Sequence, residues 1–432
     1  MKKEKDFVRI EEFTTVIGGP IDKTNCIDDG ATVSSSVPPG CWGAMITPEL
    51  FSGHEVTTPI YLKGAMPGDT VAIVIDKIEV LSEVATSGTG KTYPERFDGD
   101  PSVYAKCPHC NIHNPETYME GIGEDAIRCK VCKNPIIPQT YETGYTVFLS
   151  KEDQLSVAVN EKIAEEIAWK TSRNEYHAPD GSRQHLATIL GRADFSDLLI
   201  RPYPMIGNIG CSPAKKMPAT KNTGDFVHTI KNTPLFEQPS LDEITDGHMD
   251  ISLVGEGCIL LSPVLVEGAG VYFGDVHLIQ GHGELAGHTL DISAHVEITV
   301  HLLKNISLQG PVIIPIAKEL NPRFYPFTDE EFDTGKRIAK SIGMDSIEKS
   351  YPIQVVGTGS NLNEAIDVAV NRAAKLTGLS LGEIKNRGTV GGEIGIGRTT
   401  GCVYLTLMLG ESTLKDAGLL DLVKLQYESS KQ

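Results

Sequence analysis

The sequence predicts a mainly β protein with an α+β C-terminal part and a small four-cysteine insert. Leu290, Ile292, Ala294, Val296, Ile298, Val300 and Leu302 alternate with polar residues, which is the period of a half-buried strand. The chain of 432 residues holds 43 glycines and 25 prolines, enough tight turns for a strand-rich fold. Long helical spacing is concentrated late in the chain, where Leu362, Ala365, Ile366, Ala369, Val370, Ala373 and Leu376 share one face.

Residues 1–58 read as irregular, with turns at Asp28-Asp29-Gly30 and Pro38-Pro39-Gly40. From Pro59 the pattern becomes strand-like. Val71, Ile73 and Ile75 alternate, and Ile78 and Val80 resume after Asp76-Lys77, so one long or bent strand is expected. Residues 83–103 are rich in Ser, Thr, Gly and Pro and read as a loop, and the cysteine module follows over 104–137. A helix is expected over 160–170 with Ile163 and Ile167 on one face. Residues 172–186 and 211–250 read as polar loops with short strands between, and 251–316 as the central β region. Thr328-x-x-Glu331 is a capping box that announces a helix over 329–342, with Gly343 beyond its end. Asn361 and Gly378 bracket the next helix, Ser380-x-x-Glu383 starts a short third, and strand returns at Cys402–Leu409. These shifts divide the chain into an N-terminal β part (1–103), the insert (104–137), a central β core (138–320) and the α+β C-terminal part (321–432).

Hydrophobic content of 40% describes an ordinary soluble globular chain. A net charge of −18 argues against nucleic-acid binding, which needs a basic surface. No 18-residue apolar stretch suggests a membrane span, and no apolar run follows the basic Met1–Asp6 segment as a signal peptide would require. On these grounds a cytoplasmic protein is expected, and the odd number of cysteines, nine, argues for reduced thiols rather than a disulfide framework.

Four of those cysteines form a pattern: Cys107-x-x-Cys110, eighteen residues, then Cys129-x-x-Cys132. Two such knuckles supply the tetrahedral thiolate set of a zinc ribbon. Four cysteines leave no position open for water, so this zinc is expected to be structural, with a role in packing or subunit contact. His109 and His113 within the insert are expected to face solvent.

Residues 274–284 carry the densest chemistry: Asp275, His277, Gln280, His282 and Glu284 in Gly-Asp-Val-His-Leu-Ile-Gln-Gly-His-Gly-Glu. A mostly apolar run precedes them and an alternating one follows, which places them at the end of one strand and the turn before another. Gly281 and Gly283 let the backbone turn and approach a ligand closely. A polar loop of mutually bonded side chains is the bland alternative.

Gly274-Asp275-x-His277-x-x-Gln280-Gly281-x-Gly283-Glu284 resembles the signature of the acetamidase/formamidase family. Thr58-Pro59-Ile60-Tyr61-Leu62-x-Gly64-Ala65-x-Pro67-Gly68-Asp69, the block from Arg201-Pro202 to Pro213, Gly247-His248-Met249-Asp250 and Glu267-Gly268-Ala269 resemble other family blocks in the same order. The likeness spans roughly 55–410. It implies a β-sandwich-like core and hydrolysis of a short linear amide with release of ammonia. His282 stands where the family usually has Asp, and His248 where it usually has Asn. The His-Asn-Arg-Trp-His block of the formamidases is missing.

Amide hydrolysis requires a nucleophilic water, a stabilised oxyanion and a proton for the departing amine. The i, i+2 spacing of Asp275 and His277 points both to one side of a strand, where they can ligate a second divalent metal such as zinc. Glu284 is the expected base or proton shuttle, since burial raises a carboxyl pKa. Gln280 can donate to the substrate oxygen. Asp250 is implied by the resemblance as a further ligand or orienter. His282 and His248 are expected to bind substrate, and His54 and His288 are weaker candidates. Gly391-Gly392-Glu393-x-Gly395-x-Gly397 reads as a tight turn near the site. No Gly-x-Ser-x-Gly elbow is present, and Cys211 reads as a small buried thiol. The expected assembly is a homodimer or higher homo-oligomer acting on a small amide. A metal-dependent hydrolase of another amide or ester, motivated by His248 and His282, and a non-catalytic zinc-ribbon interaction protein are the other readings.

Overall fold

A computed structural model describes residues 7–40, 54–90, 107–112, 115–136, 141–173, 175–176, 187–219, 240–399 and 401–428. His113 lies outside the described residues, as do 91–103, 177–186 and 220–239 of the expected loops.

The alternation at 290–302 becomes the strand Ala294–Leu303. Ala294, Val296, Ile298 and Val300 are fully buried on one face, while His295, Glu297 and His301 are half-exposed on the other. It pairs antiparallel with Thr70–Val80, the long strand expected from Pro59 onward. The interruption at Asp76-Lys77 is a bulge: Glu297 faces Lys77 but Ile298 faces Ile75. Asp76 is the unpaired residue, and its carboxylate accepts from Thr299 Oγ1 at 2.6 Å.

These strands belong to a nine-stranded sheet, ordered Phe7–Arg9, Thr32–Val37, Ala294–Leu303, Thr70–Val80, Ile259–Pro263, Val312–Ile314, Ser350–Thr358, Cys402–Gly410 and Gly392–Arg398. A second, six-stranded sheet is built around Ala269–His277, which pairs with Met205–Cys211, Val56–Thr57 and Ile60–Leu62. Every residue of Ala269–His277 is buried, which explains its mostly apolar sequence. Val33, Ile73, Leu260, Val296 and Ile298 of the first sheet share one core with Ile60, Ile206, Val271, Phe273 and Val276 of the second. The molecule is therefore mainly β with a sandwich-like core.

The C-terminal part is α+β, and its three strands continue the nine-stranded sheet. The helices Leu362–Thr377 and Leu381–Val390 cover it through a second core of Ala365, Ala369, Ala373, Ile384, Val403, Leu405 and Leu407. The capping signals act as the sequence suggests. Thr328 and Glu331 form both bonds of their box, Asn361 accepts from Glu364 N, and Gly378 closes its helix at φ 71°. In the helix Glu161–Ser172, Ile167 is buried but Ile163 is 37% exposed; Ala164, Ala168 and Thr171 complete the buried face.

Three expectations change. Residues 1–58, read as irregular, supply Phe7–Arg9 and Thr32–Val37 to the nine-stranded sheet and Val56–Thr57 to the six-stranded one, because their pairing partners lie far along the chain. Val84–Gly90, read as loop, is a strand of a separate four-stranded sheet and pairs with Tyr141–Ser150. Its small polar residues are explained by close packing: a Cβ at Gly88 would come within 2.2 Å of the Thr143 carbonyl. The glycine-rich stretch read as a tight turn is the edge strand Gly392–Arg398. Its glycines serve close approach, since a Cβ at Gly395 would overlap the Tyr404 ring and one at Gly397 would come within 2.6 Å of the Met249 carbonyl.

One buried ion pair ties the C-terminal part to the rest. Arg372 Nη2 lies 2.6 Å from Asp246 Oδ2, Arg372 Nη1 donates to the Val356 carbonyl, and Thr358 Oγ1 donates to Asp246 Oδ1. Removing one member of a buried pair strands the other charge at a cost of about 3–5 kcal/mol. Arg372→Ala is expected to destabilise the protein by that amount in urea titration. A change below ~1 kcal/mol would show that the pair is compensated by water.

Candidate active site

Of the five acids that sit in the left-handed backbone region among the described residues, three belong to this site: Asp250 at φ 48°, Asp275 at φ 56° and Glu284 at φ 40°. Non-glycine residues seldom adopt it, and such strain concentrates at functional sites. Asp275 breaks the regular alternation at the end of its strand, yet its carboxylate and the His277 ring meet.

Six chain segments converge here. Asp275 Oδ2 lies 3.2 Å from His54 Nδ1 and 3.3 Å from His248 Nε2. Asp275 Oδ1 lies 3.2 Å from His277 Nε2. His248 Nε2 also approaches Asp250 Oδ2 at 3.1 Å. His277 Nε2 faces Asp291 Oδ1 at 3.3 Å and Asp250 Oδ1 at 3.9 Å. All of these side chains are 1–3% exposed. At the rim Arg398 reaches Asp250 Oδ2 at 3.3 Å and Glu284 Oε2 at 3.5 Å. Sheet pairing fixes the placement: His248 bridges to Asn208, His277 to Asp291, and Gly283 to Arg398.

The donor set suits cations. His54, His248 and Asp275 form one group, and Asp250, Asp275 and His277 a second; within each, the ligand atoms lie within 4.8 Å of one another. Asp275 is common to both. Both Asp275 oxygens, Asp250 Oδ1 and Glu284 Oε2 are buried without a hydrogen bond of ordinary geometry. Buried carboxylate oxygens left this way call for a missing partner. Carboxylate and imidazole donors together fit a divalent metal such as zinc. The backbone is shaped around these oxygens, since a Cβ on Gly40 would come within 1.8 Å of Asp275 Oδ1 and one on Gly207 within 2.4 Å of Asp250 Oδ1.

Burial alone would raise the Asp275 pKa, but the His54 and His277 rings beside it hold it well below the usual range. Burial alone would lower the histidines. The Asp275 and Asp291 carboxylates win at His277 and hold it well above its ordinary value, and Asp250 raises His248 to about 10. Glu284 behaves differently. Burial, helped by the Asp250 charge, pushes it up to about 8 against the pull of Arg398 and His277. One site thus holds carboxyls driven in opposite directions by their surroundings, a pattern common where acids have distinct roles.

The structure gathers Asp250, His248, Asp275, His277, Gln280 and Glu284. It does not bring His282 among them: that ring is exposed and stands 3.4 Å from the Tyr404 hydroxyl. His295 contacts Ser36 and Glu297, and Glu393 contacts Asn321; both lie elsewhere. Asp291 and Arg398 belong to the cluster and were missed. Asp291 fell on the polar face of an alternating strand pattern, where an acid reads as solvated. Arg398 closes a glycine-rich stretch whose strand character was not evident. His54 precedes a two-residue strand and carried no local signal beyond its chemistry.

The four cysteines of the insert also meet. Cys107 Sγ lies 3.7 Å from Cys132 Sγ, and Cys110 Sγ lies 4.0 Å from Cys129 Sγ. Each knuckle turns the same way. Asn111 N bonds Cys107 O and Lys133 N bonds Cys129 O, with Asn111 at φ 60° and Lys133 at φ 65°. Thiolates at ~2.3 Å from a tetrahedral ion lie about 3.8 Å apart, so the spacing fits a four-coordinate metal. Burial pushes the Cys107 thiol up to about 12, whereas the Asn134 backbone N–H draws Cys132 down to about 6.

A sequence profile of the Acetamidase/Formamidase family matches residues 42–245 and 239–377. A Schizosaccharomyces pombe protein named as a formamidase is 21% identical over 279 residues, which take in 63% of this chain and 58% of that protein. The chain thus spans little more than half the length of this curated relative. The fold is similar to that of a predicted acetamidase/formamidase from the thermophile Thermoanaerobacter tengcongensis, with TM-score 0.55, 17% identity and coverage of 96% of this chain and 99% of the other. It is also similar to an acetamidase of Bacillus halodurans, with TM-score 0.53, 15% identity and coverage of 95% and 99%. No helix among the described residues is long and apolar enough to cross a membrane.

Proposed function

We propose, for a chain that belongs to the acetamidase/formamidase family, that it hydrolyses the C–N bond of a short linear amide and releases ammonia. The observation that carries this reading is the buried convergence of His54, His248, His277, Asp250 and Asp275 beside Glu284. Asp275 with His54 and His248, and Asp275 with Asp250 and His277, are the residues that would hold divalent metal. When bound, such a metal lowers the pKa of a coordinated water to about 7 and polarises a carbonyl.

The chain's own groups supply the rest. Glu284 is 8% exposed and can take a proton from water, then deliver it to the amine as the C–N bond breaks. Arg398 holds the Glu284 carboxylate and draws it toward ionisation, opposing burial. Asp291 Oδ1 faces His277 Nε2, the same nitrogen that Asp275 Oδ1 approaches, and adds negative charge at the second ligand group. His282 at the exposed turn remains a candidate for substrate contact.

Metal analysis of the purified protein, coupled to ammonia release from formamide, acetamide and propionamide, tests this reading. Metal beyond one zinc per chain together with ammonia release is the expected result. One zinc per chain and no ammonia from any of the three would favour a zinc-ribbon binding protein instead. The four-cysteine cluster is proposed to hold structural zinc. Cys129→Ser is expected to release that zinc and loosen the insert, because metal binding and folding are coupled in such modules. Unchanged zinc content in that variant would end the four-thiolate assignment.

A further inference from the structure

The geometry points to Gln280 as a positioning residue that locks His277 as the Nδ1–H tautomer and so presents Nε2 as the ligand. This rests on the metal site proposed above. A glutamine amide has two N–H donors on Nε2 and one acceptor oxygen. Gln280 Nε2 lies 2.5 Å from the Asp250 carbonyl oxygen and 3.2 Å from the Gly397 carbonyl oxygen. Two carbonyls can be met only by the NH2 group, which fixes the orientation of the amide. Gln280 Oε1 must then face His277 Nδ1, at 2.8 Å. An amide oxygen cannot donate, so the proton lies on Nδ1.

The consequence falls on the other side of the ring. In the neutral Nδ1–H tautomer, Nε2 carries a lone pair aimed at Asp275 Oδ1, Asp291 Oδ1 and Asp250 Oδ1, at 3.2, 3.3 and 3.9 Å. A lone pair facing three carboxylate oxygens is repulsive unless positive charge stands among them, which a proton on Nε2 supplies in the metal-free protein and a cation would supply in its place. Gln280 therefore holds the ring so that a cation displacing the Nε2 proton meets this nitrogen together with the carboxylates of the second ligand group. It also joins three separate segments: the His248–Asp250 stretch, the strand end at His277 and the edge strand ending at Arg398. Gly397 is needed for this meeting, since a Cβ there would come within 3.2 Å of the Asp250 carbonyl oxygen. Both donors of Gln280 are committed to backbone, so its part in the reaction runs through His277 rather than through a hydrogen bond to substrate.

The test uses the full-length protein with histidine labelled in 15N, loaded with zinc, and compares wild type, Gln280→Met and Gln280→Glu, with His277→Ala to assign signals. In wild type, the His277 imidazole is expected to show a slowly exchanging Nδ1–H with the metal on Nε2. Gln280→Met removes the acceptor, so that proton is expected to exchange rapidly and zinc affinity to fall about 10–100-fold, the usual effect of losing such a partner. Gln280→Glu keeps an acceptor oxygen and is expected to restore the Nδ1–H signal. Zinc bound through His277 Nδ1, or an unchanged Nδ1–H signal and zinc affinity in Gln280→Met, would overturn the assignment. Should Gln280→Met fail to fold, the wild-type spectrum decides by itself which nitrogen carries the proton. Unchanged zinc stoichiometry in His277→Ala would instead remove the metal-site reading, and this inference with it.

Discussion

Glu284→Gln is expected to lower amide turnover about 10²–10⁴-fold, the usual share of acid–base catalysis, while bound metal stays at the wild-type level. Glutamine keeps the shape of the side chain and can still meet Arg398, but it neither accepts nor carries the proton. The two effects separate because Glu284 belongs to neither group of candidate ligands. Its carboxyl is pushed up to about 8 by burial and the neighbouring Asp250, whereas the Asp250 and Asp275 carboxyls are drawn down. A group held close to neutral pH suits proton transfer, and groups held ionised suit ligation. Loss of metal from Glu284→Gln would make Glu284 a ligand. Turnover within threefold of wild type would remove it from the reaction.

The parts of the fold that were legible in the sequence are those set by local period or local capping. The 290–302 alternation, the Asp76-Lys77 interruption and the Thr328, Asn361 and Ser380 caps all correspond to structure at the expected residues. Each depends on residues a few positions apart. The Val84–Gly90 and Gly392–Arg398 strands were not legible, because their small residues answer to a neighbouring strand or carbonyl distant in sequence. The site divides in the same way. Asp275, His277, Gln280 and Glu284 lie in one stretch, and their density signals chemistry. Asp291 and Arg398 enter through the bridges His277–Asp291 and Gly283–Arg398, which only the tertiary fold creates. His282 sits within the dense stretch yet turns outward, since the chain reverses around Gly281 and Gly283.

Asp275→Asn is expected to abolish metal binding at both ligand groups and reduce turnover to background, because Asp275 belongs to each. Its effect extends to the metal-free protein, where the sign of the pH dependence can be derived. His248 is pushed up to about 10 from an ordinary value of 6.5: burial opposes this, but Asp250 and Asp275 outweigh it. His277 is raised in the same direction. A group raised on folding contributes stability that is fully present below its unfolded value and is lost as pH rises through its folded one. Glu284, raised from 4.5 to about 8, adds loss in the same direction over its own window. Asp275 is lowered, so its contribution is present above about pH 4 and disappears only in acid. Chelator-treated wild type should therefore melt at progressively lower temperature as pH rises from about 6.5 toward 10. Metal should flatten that decline, since a bound cation replaces the protons on the histidines. In Asp275→Asn the histidines lose a counter-charge, so the chelated variant should melt below wild type at pH 6.5 and decline less steeply above it. Thermal melts with and without chelator across this range measure both effects. Wild-type metal content in Asp275→Asn, or a decline as steep as wild type's, would show that Asp275 is not the shared centre of the site.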